Sequence, residues 1–234
     1  MTNGLKVKKR NGRGTEPLDL EKIHNMVEEA CKGVTGVSAS QVEIQSGIQF
    51  YDGISTAEIQ DILIKSASDL ITLDNPNYQF VAARLLLFAT RKSLYGRSRD
   101  LPPLEDHIMN CTNIDVYDKE IFGKYSKEEI EKADSYIDHD RDFLFTYAGL
   151  RQVVDKYLVQ DRSTGKVFET PQFMYMMIAL TIFSNYPKET RLNYVRRYYD
   201  AISRHRLNIP TPIMAGVRTP IRQFASCVLV DIDD

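Results

Sequence analysis

The sequence predicts a mainly α-helical protein of the α+β class, with short hairpins beside a series of helices. Apolar residues recur with the period of an amphipathic helix, about 3.6 residues, in most of its segments. Ser-x-x-Glu capping boxes precede several of these segments, and an Asn-Gly pair near the N-terminus favours the tight turn of a β-hairpin. The chain has 234 residues, of which 43% are hydrophobic, so it can bury a core in one large domain or two ordinary ones.

The first predicted domain, residues 1–97, is a hairpin followed by four helices. The hairpin consists of residues 5–10, the Asn11-Gly12 turn and a short polar run. The four helices begin after a capping residue or with a first-turn proline, at Asp19, Ser40, Ser55 and Pro76. Gly33 and Gly96 end the first and the fourth helix, because glycine readily adopts the left-handed conformation found there.

The second predicted domain, residues 98–234, is mostly helical and leads into a buried strand. A charged linker that contains prolines, residues 97–105, opens it. Its helices begin with a capping box, an acidic residue or a proline, at Ser126, Asp142, Pro171 and Pro187. A second hairpin flanks the turn between Asp161 and Gly165, and an apolar strand is predicted over residues 226–230.

Composition and charge exclude several classes of protein. The net charge of −2 gives no case for a nucleic-acid or membrane surface. No apolar run approaches the roughly 20 residues of a membrane span, and the N-terminus lacks the apolar core of a signal peptide. The three cysteines and four scattered histidines do not have the spacing of a zinc site or of a disulfide framework. The sequence therefore predicts a cytoplasmic protein without a metal of its own.

A basic segment near the N-terminus is the first candidate binding site. Lys6, Lys8, Lys9 and Arg10 precede the helix start at Asp19, where free N–H groups and the helix dipole favour an anion such as a triphosphate. The same residues can instead form a solvated basic edge strand, which protects a sheet against aggregation. The residues alone leave both interpretations open.

Cys227 is the second candidate. The proline-rich residues 208–222 lead to it, which favours an accessible thiol that can donate a hydrogen atom and end in a reversible disulfide. The alternative is a small buried hydrophobic residue. Cys31 and Cys111 are interpreted as structural, with Cys111 just after a helix end and without a companion.

The N-terminal motifs resemble the ATP-cone, the regulatory nucleotide-binding domain of many ribonucleotide reductases. Four segments carry the resemblance: Lys6–Arg10, Asp19–Ile23, Tyr51–Thr56 and Tyr78–Arg84. It implies that ATP or dATP binds as an allosteric effector at Lys9, Arg10, Glu16, Asp19, Lys22, Thr56 and Lys92. Gln60 and Ala89 depart from the family pattern, which often has histidine at these positions.

The segments Pro210–Met214 and Gln223–Cys227 resemble the large, catalytic subunit of aerobic (class I) ribonucleotide reductase. The resemblance implies that Cys227 belongs to the redox pair that reduces the ribose. It also implies that Thr211 and Ser226 contact the substrate, a ribonucleoside diphosphate.

The same resemblance predicts the rest of the fold and the partners. The strand at residues 226–230 would open a ten-stranded α/β barrel that this chain does not complete, and Asp234 would contact a specificity effector. A second polypeptide would then carry the remaining barrel and its cysteines, and the isolated chain would be inactive. A small subunit with a di-iron tyrosyl radical and a thioredoxin- or glutaredoxin-type reductant would be further partners. The alternative function is a catalytically inert nucleotide-binding fragment.

Overall fold

The computed structural model describes residues 4–9, 14–47, 49–221, 223–227 and 229, apart from the side chain of Phe122. Its elements in chain order are β1 (Lys6–Lys8), β2 (Thr15–Pro17), α1 (Leu20–Cys31), α2 (Ala39–Gly47), β3 (Ile54–Ser55), α3 (Thr56–Asp69), α4 (Tyr78–Tyr95), α5 (Leu104–Asn113), α6 (Lys119–Lys124), α7 (Lys127–Asp134), a 3₁₀ helix (His139–Leu144), α8 (Tyr147–Gln152), a π-helical turn (Val153–Tyr157), β4 (Gln160–Asp161), β5 (Lys166–Val167), α9 (Pro171–Ile182), α10 (Lys188–Ser203) and α11 (Thr211–Gly216). Helices dominate and the strands form two small sheets, which confirms the predicted, mainly helical class. None of the helices in the described part is long and apolar enough to cross a membrane.

The chain divides into two compact units. The first comprises the residues up to Ser98 together with Phe143–Arg151, and the second comprises Arg99–Asp142 and the residues from Gln152 onwards. Within the first unit, the Phe143 ring meets Phe88 edge-on, with the ring centroids 6.2 Å apart. The Arg84 guanidinium lies 5.1 Å from the same ring, a cation–π distance. The predicted boundary near residue 97 stays a prediction.

A three-stranded sheet in the order β2-β1-β3 opens the first unit. The strands β1 and β2 pair antiparallel, with Val7 opposite Glu16, as the predicted hairpin requires. The turn predicted at Asn11-Gly12 lies outside the described residues. The strand β3 was not predicted, because two residues next to a helix cap carry no recognisable period; it pairs parallel to β1, with Val7 opposite Ile54.

Helix caps and an apolar core hold the first unit together. Ser55 forms the predicted capping box of α3, in which its hydroxyl accepts from the Glu58 N–H at 3.1 Å. The core lies where α3 meets α4, and its side chains include Leu63, Val81 and Leu85, each at most 2% exposed. Burial of this kind of apolar side chain is the main driving force for such a small domain.

The second unit is organised around α9, which is buried along almost its whole length. A helix that is apolar on all sides has to be covered on all sides, and α10 covers one of them with Val195, Tyr199 and Ile202. The Arg191 guanidinium of α10 binds the Glu129 carboxylate of α7, with Nε–Oε1 at 2.7 Å.

Two predicted helix starts are wrong, and at or beside each of them a residue contacts a partner that is distant in the sequence. Ser40 does not cap α2, which begins one residue earlier; the preceding Ser38 N–H instead donates to the Tyr78 hydroxyl at 2.9 Å. Asp142 does not open a helix, since its buried carboxylate accepts from Gln172 of α9 at 2.9 Å. The strand predicted at 226–230 is not formed at Ser226, Cys227 and Leu229, the residues of this segment that the structure describes, and it stays a prediction. A strand needs a hydrogen-bonded neighbour, and none of the described segments pairs with it.

Candidate functional site

Four of the predicted nucleotide-binding residues lie together where the β1–β2 hairpin meets α1. The Lys9 ammonium lies 3.0 Å from the Glu16 carboxylate across the hairpin. The Lys22 ammonium lies 3.3 Å from the Asp19 carboxylate, and Asp19 caps α1 by accepting from the Lys22 backbone N–H at 3.2 Å. All four side chains are well exposed, from 39% to 74%. We call these four residues the α1 cluster.

The electrostatics of the α1 cluster keep both carboxylates ionised at neutral pH. The hydrogen bond from the Lys9 side chain lowers the pKa of Glu16. The hydrogen bond from the Lys22 backbone N–H lowers the pKa of Asp19. The cluster therefore presents two cations and two anions, an arrangement in which ammonium groups can bind phosphate and carboxylates can accept from ribose hydroxyls.

A surface pocket of about 480 Å³ lies at the start of α1. Glu16, Asp19 and Lys22 line it together with Pro17, Leu18 and Leu20. This volume is within the range of sites that hold small ligands, roughly 300–1,000 Å³. The pocket thus combines room for a nucleotide with three of the side chains that the sequence proposed for one.

A turn brings Thr56 close to the three-stranded sheet that contains the β1–β2 hairpin. The Asp52 carboxylate accepts from the Lys6 N–H at 2.8 Å, and the Gly53 N–H donates to the Lys6 carbonyl at 2.8 Å. Gly53 has a φ of 82°, which favours glycine over other residues. Because Ser55 pairs with Lys8, the first residue of α3, Thr56, follows directly at the edge of β1.

The other two predicted nucleotide-binding residues, Lys92 and Arg10, do not belong to the α1 cluster. Lys92 lies in the last turn of α4, where its carbonyl accepts from the Gly96 N–H at 3.0 Å. Its role in binding stays a prediction. Arg10 lies outside the described residues.

The three predicted substrate residues lie in the second unit. Thr211 is the first residue of α11, and its hydroxyl oxygen lies 3.3 Å from the Tyr157 hydroxyl oxygen. Ser226 and Cys227 are exposed, with Oγ and Sγ 3.8 Å apart. The alternative of Cys227 as a buried hydrophobic residue is therefore wrong for this structure, and its thiol is open to reagents.

The prediction for Cys111 needs correction. It lies inside α5, not after it, and it has companions: its Sγ is 4.0 Å from His107 Nε2 and 3.6 Å from the Phe168 carbonyl oxygen. Burial raises the pKa of this thiol to about 12. It is thus an inert structural cysteine.

Sequence reasoning missed three residues that support Thr211. Tyr157 contacts it, and Arg218 and Glu169 form a fully buried ion pair nearby. No sequence signal identifies them, because charged residues without a motif are assigned to the surface by default. Over the described residues, no group of three or more His, Cys, Asp or Glu side chains could hold a metal ion.

Comparison with known proteins covers both units. The ATP cone domain family matches residues 5–93, and the family of the ribonucleotide reductase all-alpha domain matches residues 143–222. The chain is 50% identical over all 234 residues to the ribonucleoside-diphosphate reductase 1 subunit alpha of Escherichia coli K12. It is 49% identical over its whole length to the corresponding subunit of Haemophilus influenzae, and 43% identical over 222 residues to that of Enterobacteria phage T4.

The chain spans about 30% of the length of these relatives, namely 30%, 31% and 29% of the three subunits. The matches run without interruption from the hairpin through the segment of Cys227, and they include both family domains in one order. The chain is therefore similar over its whole length to the N-terminal third of ribonucleotide reductase alpha subunits, and it matches an ATP cone domain followed by the all-alpha domain.

Proposed function

We propose that this chain is the N-terminal piece of a ribonucleotide reductase catalytic subunit that reduces ribonucleoside diphosphates when a second polypeptide completes it. The observation that carries the proposal is the continuous similarity to alpha subunits, which includes the segment with the exposed thiol of Cys227. A nucleotide-sensing module alone would need the ATP cone but not this segment.

The proposed reaction sets a requirement for thiols. The ribose loses its 2′-hydroxyl as water and gains a hydrogen, while two thiols become a disulfide, so two electrons leave the thiols for each ribose reduced. Cys227 supplies one of these thiols. Cys31 and Cys111 are half-buried and buried, and burial raises the pKa of Cys31 to about 11. The second thiol and the thiyl radical must therefore come from the remaining part of the subunit.

The proposed partners are those that the resemblance to ribonucleotide reductases implies. A protein dithiol of the thioredoxin or glutaredoxin type would reduce the disulfide, and a small subunit with a di-iron tyrosyl radical would supply the radical. Thr211 and Ser226 would bind the diphosphate substrate by hydroxyl or main-chain hydrogen bonds. The segment of Cys227 would become the first strand of the ten-stranded barrel once strands of the second polypeptide pair with it.

Allosteric control is proposed for residues 1–97. ATP would bind at the α1 cluster together with Arg10, Thr56 and Lys92, and it would favour the active assembly, whereas dATP would favour the inhibited one. Lysine ammonium groups and the start of α1 supply the phosphate-binding donors. The site of action would be the cytoplasm, where thiols stay reduced.

The experiment is affinity capture of this chain from its native source, followed by a reductase assay of the captured complex. We expect to recover a polypeptide with the remaining barrel and to observe reduction of a ribonucleoside diphosphate. Cys227→Ser should abolish turnover, and Cys31→Ser, a matched change in the first unit, should leave it intact. Capture of the chain alone, with ATP still bound, would instead support the inert nucleotide-sensing fragment. Full turnover by Cys227→Ser would contradict the assigned chemistry.

A further inference from the structure

We infer that the buried ion pair of Arg218 and Glu169 positions helix α11 and thereby places the hydroxyl of Thr211 in the proposed substrate site. The inference rests on the proposed function, because it treats Thr211 as a substrate contact. It assigns to Arg218 and Glu169 a positioning role, without contact to the substrate.

Arg218 uses all three of its guanidinium nitrogens, although its side chain is fully buried. Nε donates to Glu169, 2.8 Å from Oε2 and 3.1 Å from Oε1, and Nη2 also donates to this carboxylate. Nη1 donates to the Met214 carbonyl at 2.5 Å, within α11. Nη2 further donates to the Tyr157 carbonyl at 3.0 Å. The planar guanidinium thus fixes three separate groups relative to one another.

Several protein groups besides Arg218 hold the Glu169 carboxylate in place. Its carboxylate, also fully buried, accepts from the Val159 N–H at 2.7 Å and from the Tyr117 hydroxyl at 2.5 Å. The Tyr117 hydroxyl lies 2.9 Å from His107 Nε2 in α5. The carboxylate therefore has protein partners on both oxygens, which is the condition under which a buried charge is tolerated.

Arg218 is linked to α11 in two ways, one direct and one through Tyr157. It holds the second half of the helix directly at Met214, and it holds Tyr157, whose hydroxyl lies 3.3 Å from the Thr211 hydroxyl at the first helical position. A helix of six residues is too short to be stable by itself, so its place is set by what it is attached to. The Arg218 backbone adds a further attachment, since its carbonyl accepts from the Asp118 N–H at 3.0 Å.

A buried ion pair is weak support for stability by itself, because desolvation offsets most of the attraction. An orienting role explains the buried pair better, because the planar guanidinium binds several groups at once in an arrangement that a lysine ammonium cannot reproduce. Arg218→Lys keeps the charge beside Glu169 but cannot also reach Met214 and Tyr157 as arginine does. The variant therefore separates orientation from charge.

The first measurement is hydrogen–deuterium exchange of the full chain with Arg218→Lys. We expect amides of residues 211–217 to exchange at least tenfold faster, while those of α9 and α10 change less than twofold. The matched control is Arg191→Lys, because Arg191 is also buried, at 3% exposed, and binds the Glu129 carboxylate away from α11. That variant should leave the exchange of residues 211–217 unchanged.

The second measurement is reductase kinetics of the captured complex. Arg218→Lys should raise KM for the ribonucleoside diphosphate about tenfold with kcat within about threefold, because a displaced Thr211 weakens substrate binding. A merely structural role would reduce the active fraction, and hence the apparent kcat, without a change in KM. If Arg218→Lys does not fold by circular dichroism, Glu169→Gln, which keeps one oxygen acceptor, replaces it in both measurements.

The outcomes decide separately between this inference and the proposed function. Unchanged exchange of α11 overturns the positioning role, and so does global unfolding of both variants, which would make the pair a general stability element. Faster exchange with an unchanged KM overturns the link from α11 to the substrate. A third outcome combines two results: faster exchange confined to α11 in Arg218→Lys, and a wild-type complex that reduces no ribonucleotide. It would leave the positioning role intact and contradict the proposed function.

Discussion

Lys22→Ala isolates the contribution of one ammonium group to the proposed nucleotide site. The Lys22 side chain is 74% exposed and lines the pocket at the start of α1. The hydrogen bond that caps the helix comes from the Lys22 backbone N–H to Asp19, so truncation of the side chain leaves the cap in place. We expect the free energy of unfolding to change by less than about 0.5 kcal/mol, as for other exposed residues.

The expected loss of ATP affinity follows from the chemistry of the lost contact. A hydrogen bond to a charged group contributes about 1.5–3 kcal/mol. Water and salt screen an ammonium as exposed as Lys22, which favours the lower end of this range. Since about 1.4 kcal/mol corresponds to a factor of ten, ATP should bind about tenfold more weakly to Lys22→Ala. Part of the loss comes from the Asp19 carboxylate, which then faces the phosphates without its cation.

Lys65→Ala is the control, because it removes the same charge from the same unit. Its ammonium also pairs with a carboxylate, that of Asp69 on α3 at 2.6 Å, and its side chain is 65% exposed, compared with 74% for Lys22. Titration calorimetry with ATP at about 0.15 M ionic strength, where the Debye length is about 8 Å, should show unchanged affinity within twofold. Equal weakening by both substitutions would show that only net charge matters. Unchanged affinity of Lys22→Ala would refute the placement of the site at α1.

Two further predictions concern thiols and pH. Iodoacetamide should label the exposed Cys227 at least tenfold faster than Cys111 or Cys31, whose pKa values burial raises to about 12 and about 11, and peptide mass spectrometry after timed quenching measures the order. Faster labelling of Cys111 would contradict its buried placement. In the first unit, the hydrogen bond that His24 Nδ1 donates to the Glu43 carboxylate at 2.8 Å raises the pKa of His24. A raised pKa gives stability that is complete below the unfolded value, near pH 6.5, and is lost as the pH rises through the folded value. Thermal melts of the chain from pH 5.5 to 8.5 should show this loss, and His24→Gln should remove it; equal pH profiles of the two proteins would contradict it.

The parts of the fold that the sequence predicted depend on contacts between residues close in the chain. The capping boxes at Ser55 and Ser126 form as expected, with hydroxyl acceptors 3.1 Å and 3.3 Å from the N–H groups three residues later. The wrong predictions involve partners that are distant in sequence, such as the Tyr78 hydroxyl, 40 residues from Ser38. Local patterns report the first kind of interaction and contain no information on the second.

The same distinction explains which half of the candidate substrate site the sequence could predict. Thr211 and Cys227 stand in short motifs, whereas Arg218 and Glu169 are 49 residues apart and match no pattern. A hydrophobicity pattern assigns charged residues to the surface, because the burial of one charge without a partner has a large cost in free energy. Only after folding has brought the two charges together does burial become tolerable, and then each requires the other. This mutual dependence predicts that Glu169→Gln and Arg218→Lys together disturb α11 less than the sum of their separate effects, which a double-mutant cycle on amide exchange measures. Additive effects would mean that the two residues act on α11 independently and that the pair is not its anchor.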